Sequence, residues 1–326
     1  MLIFIVAVIL GFIILIWSAD QFVDGAASLA QHWGVSPLII GMLIIGLGTS
    51  APEMLVAASA ALQGNAELGI GNAIGSNITN ITLVLGATAL LVSLPIHSNI
   101  LKKELPLVLV AGLVSWYLLS DGEFSRTDGV ILLSGLFAII GWMIYTSKKA
   151  SNEHDPLLEE GADEIPAEMP FNKAIIWTIA GLLLLMFSSK LLVWGASGIA
   201  VELKIDDLII GLTIVAIGTS LPELAATISS ARKGETDLAI GNIVGSNLFN
   251  TLGVLAIPAL IAPSTVSAPV LSRDMPIMIA LTVLLIIFGI GCYKAARYRI
   301  VFWNGAILLS LFFAYEGLLY YQTITP

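Results

Sequence analysis

Gly48-Thr-Ser-Ala-Pro-Glu53 and Gly218-Thr-Ser-Leu-Pro-Glu223 are two copies of one motif. A second motif follows each: Gly71-Asn-Ala-Ile-Gly-Ser-Asn-Ile-Thr-Asn80 after the first copy, and Gly241-Asn-Ile-Val-Gly-Ser-Asn-Leu-Phe-Asn250 after the other. The offset is 170 residues in both cases. Residues 36–80 align on 206–250 without a gap, and 21 of the 45 positions are identical. Chance likeness between apolar helices would match Leu with Ile, whereas most of these matches are Gly, Ser, Asn, Pro and Glu. The chain is therefore an internal duplication, and its duplicated residues are polar ones that a mere scaffold does not need.

The setting of the motifs is a membrane. Of 326 residues 57% are apolar and 11% charged, against roughly 45–50% and 25% in a soluble domain. That is about 186 apolar residues, enough for on the order of nine or ten crossings of about 20 residues each. Apolar runs fall at roughly 2–19, 37–62, 68–93, 105–119, 129–147, 173–199, 207–231, 238–262, 275–292 and 300–321. The first run lacks a basic flank and a small-residue cleavage site, so it reads as a retained helix and not as a secretory signal. The net charge of −9 argues against nucleic acid as a partner, although its distribution matters more than the total. Cys292 is the only cysteine, and His32, His97 and His154 lie far apart. Disulfides and thiol or imidazole metal sites are thereby excluded.

Basic residues orient the chain, because cytoplasmic loops carry the excess of Lys and Arg. With the amino terminus outside, the inward loops hold Lys102, Lys103, Lys148, Lys149, Lys173, Arg232, Lys233, Lys294, Arg297 and Arg299, and the outward loops only Arg126, Lys204 and Arg273. Both termini then face out of a plasma (inner) membrane. Five crossings separate each motif from its copy. Five is odd, so the copies enter the membrane from opposite sides, as in secondary transporters built from inverted repeats. The predicted fold is an all-α membrane protein of about ten transmembrane helices in two inverted five-helix repeats. Residues 1–149 form the first repeat, 150–172 an acidic cytoplasmic linker and 173–326 the second repeat.

Glu53 and Glu223 lie inside apolar runs, where an ionised group is costly and marks function by default. No Lys or Arg stands in either motif to neutralise them. Two facing carboxylates match one divalent cation, several monovalent ones or protons. Pro52 and Pro222 cannot donate to the carbonyls of Gly48 and Gly218, so both helices should break there and free backbone oxygens beside Thr49, Ser50, Thr219 and Ser220. A packing kink with no ligand role is the competing reading. In the next helix Asn72, Ser76 and Asn80 share one face, as do Asn242, Ser246 and Asn250. Interhelical hydrogen bonding competes with ion binding most strongly for Asn72 and Asn242. Gly71 and Gly75, with Gly241 and Gly245, form the small-xxx-small pattern of closely packed helices. Oxygen ligands without thiol or imidazole suit hard cations, and two glutamates with flexible carbonyls suit calcium better than magnesium. Sodium can use the same oxygens.

These motif pairs resemble the two alpha repeats of the calcium/cation antiporter superfamily, the sodium/calcium exchangers and their relatives, and the ten-segment layout resembles its prokaryotic members. The resemblance implies exchange of calcium against sodium or protons by alternating access, with no cofactor. It implies Glu53 and Glu223 as central ligands, assisted by Thr49, Thr219, Ser50, Ser220, Ser76, Ser246 and Asn80. Some family members carry an aspartate where this chain has Asn250, so the site reads as two carboxylates and leaves sodium versus proton coupling open. A cation channel or an intramembrane enzyme is a further alternative. Inverted symmetry speaks against the first, and the lack of a nucleophile-and-base arrangement against the second.

Two features lie outside the motifs. Asp20 and Lys190 also stand 170 apart, and either pair with one another or, by default, leave Lys190 to snorkel. The segment from Ala150 to Phe171 holds seven acids and no base, which reads as a solvated linker. Removing its charge from the total leaves −9 + 7 = −2 for the rest of the chain.

Overall fold

The computed structural model describes residues 1–95, 100–152, 169–203, 216–294 and 299–324. Its helices are α1 (Leu2–Trp33), α2 (Pro37–Thr49), α3 (Ala51–Leu62), α4 (Ala66–Leu91), α5 (Leu105–Leu119), α6 (Arg126–Asn152), α7 (Phe171–Glu202), α8 (Ala216–Thr219), α9 (Leu221–Arg232), α10 (Thr236–Ile261), α11 (Met275–Lys294) and α12 (Phe302–Ile324). Among the described residues seven helices are long and apolar enough to cross a bilayer, and the bent pair α2–α3 makes an eighth. Of the other two predicted crossings, α5 has 15 residues and is preceded by a π-helical turn, Ile100–Glu104. The segment 207–231 lies partly outside the described residues, which include α8 and α9 from it.

The first helix is longer than its apolar run suggests: it continues past residue 19 to Trp33. Its polar residues find partners inside the protein, so they do not terminate it. Ser229 Oγ donates to Asp20 Oδ1 at 2.6 Å, and Lys233 Nζ donates to Asp24 Oδ1 at 2.5 Å and to the Asp20 carbonyl at 2.9 Å. Gly34, at φ 60°, ends the helix, with Val35 N–H bonded back to the Ala30 carbonyl at 3.0 Å. A left-handed residue at that position favours glycine. The pairing of Asp20 with Lys190 is not what the fold makes: Asp20 is held by α9, and Lys190 is exposed on α7.

α1 and its repeat mate α7 pack along their length through glycines. A Cβ on Gly11 would stand 3.1 Å from the Leu192 Cβ, one on Gly181 2.8 Å from the Phe22 nitrogen, and one on Gly25 2.7 Å from the Thr178 nitrogen. Numbers rise along one helix as they fall along the other, so the two repeat-related helices run antiparallel and the duplication is inverted. By contrast α2 and α10 run in the same direction. Gly41 of α2 meets Leu238 and Gly241, and Gly46 meets Gly245 and Ser246.

Burial sorts the helices into a centre and a rim. In the apolar windows of α4 and α10, 72% and 89% of residues are buried, against 17% in α12. The motif helices are therefore the core, and the rim helices turn Leu, Ile and Phe outward as a lipid-facing surface requires. The local irregularities also repeat. π-helical turns start at Asn80 and Asn250, and another pair occupies 100–104 and 270–274. Short antiparallel strand pairs stitch the halves together: β1 (Leu94–Pro95) with β4 (Arg299–Ile300), and β2 (Glu123–Phe124) with β3 (Ser264–Thr265). Just before α7 the chain docks on α1, where Ser28 Oγ accepts from Met169 N–H at 3.4 Å and His32 Nε2 lies 2.7 Å from the Met169 carbonyl. Most of the acidic linker lies outside the described residues.

Candidate ion-binding site

Both helix breaks form where the prolines require them. Ser50 (φ −80°, ψ 0°) separates α2 from α3, and Ser220 (φ −92°, ψ 6°) separates α8 from α9, with Pro52 and Pro222 in the first turn of the helix that follows. The α2–α3 bend is 40°. A proline is tolerated in a first turn because the N–H it lacks would have no partner there. The break thus places Glu53 and Glu223 at helix amino termini, whose dipole favours negative charge. Both are buried, at 0% and 1% exposure. The carbonyl freed at Gly218 accepts from Ser189 Oγ of α7 at 2.7 Å, so one of its lone pairs is occupied. The equivalent of Ser189 in α1 is Ala19, which has no hydroxyl to offer Gly48.

The second motif lines the breaks with oxygen. Thr49 Oγ1 lies 3.0 Å from the Ile45 carbonyl, 3.1 Å from Asn242 Oδ1 and 3.3 Å from Ser246 Oγ, joining the break of the first repeat to α10 of the second. Ser76 stands near the Glu53 carboxyl and Thr49 near that of Glu223. Even so, none of the four carboxylate oxygens has a partner in hydrogen-bonding geometry among the described residues. The same holds for Ser50 Oγ, Ser220 Oγ, Asn80 Oδ1 and both amide atoms of Asn250. Buried polar atoms are almost always paired, so this concentration of unpaired oxygens at one place is the mark of a site for a cation.

The fold brings Glu53, Glu223, Thr49, Ser50, Ser220, Ser76, Ser246, Asn80 and Asn250 together in the buried centre, and Thr219 flanks them half-buried. Asn72 and Asn242 tie down the breaks, since each amide nitrogen donates to the main-chain carbonyl of the glutamate in its own repeat, at 3.5 and 3.3 Å. Asn242 also donates to Thr227 Oγ1 at 2.8 Å. Asn77 and Asn247 belong to the same polar layer, and reading the motifs alone does not single them out. A signal for them exists, since both are identical across the 170-residue offset and each follows a candidate serine.

No group of three or more His, Cys, Asp or Glu side chains placed to hold a metal ion occurs among the described residues. The centre therefore offers two carboxylates plus neutral hydroxyl, amide and carbonyl oxygens, the donor set of a hard cation. In a multi-pass helical membrane protein, such a centre at two inverted helix breaks fits a cation transporter. Comparison with known proteins gives the family. The family model described as sodium/calcium exchanger protein matches residues 3–145 and 173–321. The protein named CaxA from Alkalimonas amylolytica, a putative antiporter by its description, is 46% identical over 320 residues, 98% of this chain and 99% of its own length. The inner membrane protein YrbG of Escherichia coli K12 is 39% identical, over 88% of this chain and 87% of its own. A solved structure of the sodium-calcium exchanger NCX_Mj superposes with a TM-score of 0.81 at 30% identity, covering 98% of this chain and 99% of that one. The chain belongs to the sodium/calcium exchanger protein family.

Proposed function

We propose that this protein exchanges calcium for sodium across a plasma membrane by alternating access, with Glu53 and Glu223 as the central ligands. Thr49, Thr219, Ser50, Ser220, Ser76, Ser246, Asn80, Asn250 and the Gly48 and Gly218 carbonyls supply the remaining oxygens. One observation carries the reading: four carboxylate oxygens are buried with no partner among the described residues. A buried uncompensated carboxylate costs several kcal/mol, so the centre crosses the membrane occupied by calcium or by its replacement, and that requirement couples the two fluxes. Close packing between the repeats supports alternating access: Gly241 and Gly245 of α10 are pressed against the backbone of α2. With the loop charges oriented as above, this packed half is cytoplasmic and both termini face outward.

Proton exchange in place of sodium is the second reading. It is favoured by Asn250: with a neutral amide there, two protons on Glu53 and Glu223 balance one calcium ion without further ligands. The test is calcium uptake into proteoliposomes holding the purified chain. Uptake driven by an outward sodium gradient and insensitive to a protonophore supports sodium coupling. Uptake indifferent to sodium and lost with the proton gradient supports proton coupling, and flux that never concentrates calcium refutes exchange.

A further inference from the structure

One layer of the polar centre departs from the 170-residue symmetry. Asn80 Nδ2 of α4 donates to Asn247 Oδ1 of α10 at 3.1 Å. Shifting both residues by 170 predicts the mirror bond, from Asn250 Nδ2 of α10 to Asn77 Oδ1 of α4. That bond is not made: Asn250 Nδ2 and Asn77 Oδ1 are both buried and without a partner among the described residues. Asn77 nevertheless reaches the same turn of α10. Its Nδ2 donates to Oγ1 of Thr251, the residue next to Asn250, at 2.7 Å, and also lies 3.3 Å from Met278 Sδ. The same amide can keep the Thr251 bond and accept on its oxygen.

The geometry points to Asn77 and Asn247 as positioning residues of the ion site. The carbonyl oxygen of each holds the amide nitrogen of the asparagine from the opposite repeat, Asn250 and Asn80 respectively, and so turns that asparagine's own oxygen onto the cation. In this structure one half is set, because Asn80 is held by Asn247 and its Oδ1 is left open. The other half is unset. A rotation of the Asn250 amide that donates Nδ2 to Asn77 and gives Oδ1 to the ion satisfies three orphaned atoms at once: Asn77 Oδ1 and both polar atoms of Asn250. An amide is needed at Asn250 for this, since a carboxylate has no N–H to donate. An amide must be held by one atom to act reliably with the other, so the partner that fixes its direction controls ligand quality.

The proposal rests on Asn80 and Asn250 being ligands, and a double-mutant cycle separates the two claims. Calcium binding to the full-length chain in detergent is measured by isothermal titration calorimetry. Asn247→Ala is expected to raise half-saturating calcium by about 10- to 100-fold, and Asn80→Ala by at least as much. The double variant is expected to be no worse than Asn80→Ala, because Asn247 acts only through Asn80. Asn77→Ala and Asn250→Ala are expected to behave as a second, independent pair. Losses that multiply in the double variants overturn the positioning role and leave the ligands in place. Unchanged binding in Asn80→Ala and Asn250→Ala overturns the ligand assignment, and the proposal with it. Where Asn247→Ala does not fold, Asn247→Asp keeps the acceptor oxygen: binding no weaker than in the unaltered chain supports the role, and a loss as large as that of Asn80→Ala refutes it.

Discussion

Substituting Gly241 tests whether the cytoplasmic half is sealed by backbone contact between the repeats. A Cβ on Gly241 would stand 2.5 Å from the Leu38 carbonyl oxygen and 3.1 Å from both the Gly41 Cα and the Met42 nitrogen. Ordinary contact begins near 3.4 Å, so α2 would have to retreat by 3.4 − 2.5 = 0.9 Å, and backbone atoms cannot rotate aside as a side-chain tip can. Overpacking of this kind costs about 1–3 kcal/mol, and about 1.4 kcal/mol is a tenfold change in an equilibrium. Gly241→Ala should therefore reduce the population of the sealed state by roughly 5- to 150-fold. A glycine on the rim is the control: Gly141 of α6 is exposed, with no atom of the described residues within 4 Å of its Cβ position. Calcium exchange in proteoliposomes should fall at least about fivefold in Gly241→Ala and stay within about twofold in Gly141→Ala. Equal exchange rates in the two alanine variants would show that this contact does not gate access.

Glu53→Gln and Glu223→Gln keep shape and burial but remove a charge, so each should abolish calcium exchange while the protein elutes and melts as the parent does; exchange at the parental rate by either would sink the site. Lys233→Met strips Asp24 and the Asp20 carbonyl of their partner and should lower stability by about 1–3 kcal/mol, seen as an earlier thermal transition in detergent. Lys190→Met should be neutral in the same melt, since Lys190 is exposed and Asp20 is held by Ser229. Tyr315→Phe removes the 3.0 Å bond from the Tyr315 hydroxyl to Asp274. Asp274 is 7% exposed and keeps Arg273 at 2.6 Å, so the expected loss is about 1–3 kcal/mol, read by the same melt.

Composition and one offset were sufficient for the membrane class, the duplication and its inversion. The reason is physical: a bilayer admits few spanning structures, and an odd number of crossings between copies leaves no choice of relative direction. The ligand candidates were legible for a similar reason. A glutamate after a helix-breaking proline, deep in an apolar run and repeated 170 residues on, has few other uses. The length of α1 was not legible, because Asp20 and Asp24 look like a helix end until Ser229 and Lys233, more than 200 residues away, are seen to hold them.

Charge and repeat position also could not say which partner a polar residue takes. Asn72, Ser76, Asn77 and Asn80 read alike in a motif. The packing of α2, α4 and α10 decides that Asn72 secures a glutamate carbonyl, that Asn77 reaches Thr251, and that Asn80 leaves its oxygen open. The Gly, Ser, Asn, Pro and Glu residues of the two motifs are identical, yet the folded chain breaks that symmetry at Asn77 and Asn250. One conformation need not satisfy both halves of an inverted pair equally: Asn80 is held by Asn247, whereas Asn250 Nδ2 and Asn77 Oδ1 find no partner among the described residues. Sequence alone therefore determined the ligand candidates and the two-fold plan. Only the tertiary structure decided which asparagine has its amide already held, because that depends on how α4 and α10 pack against one another.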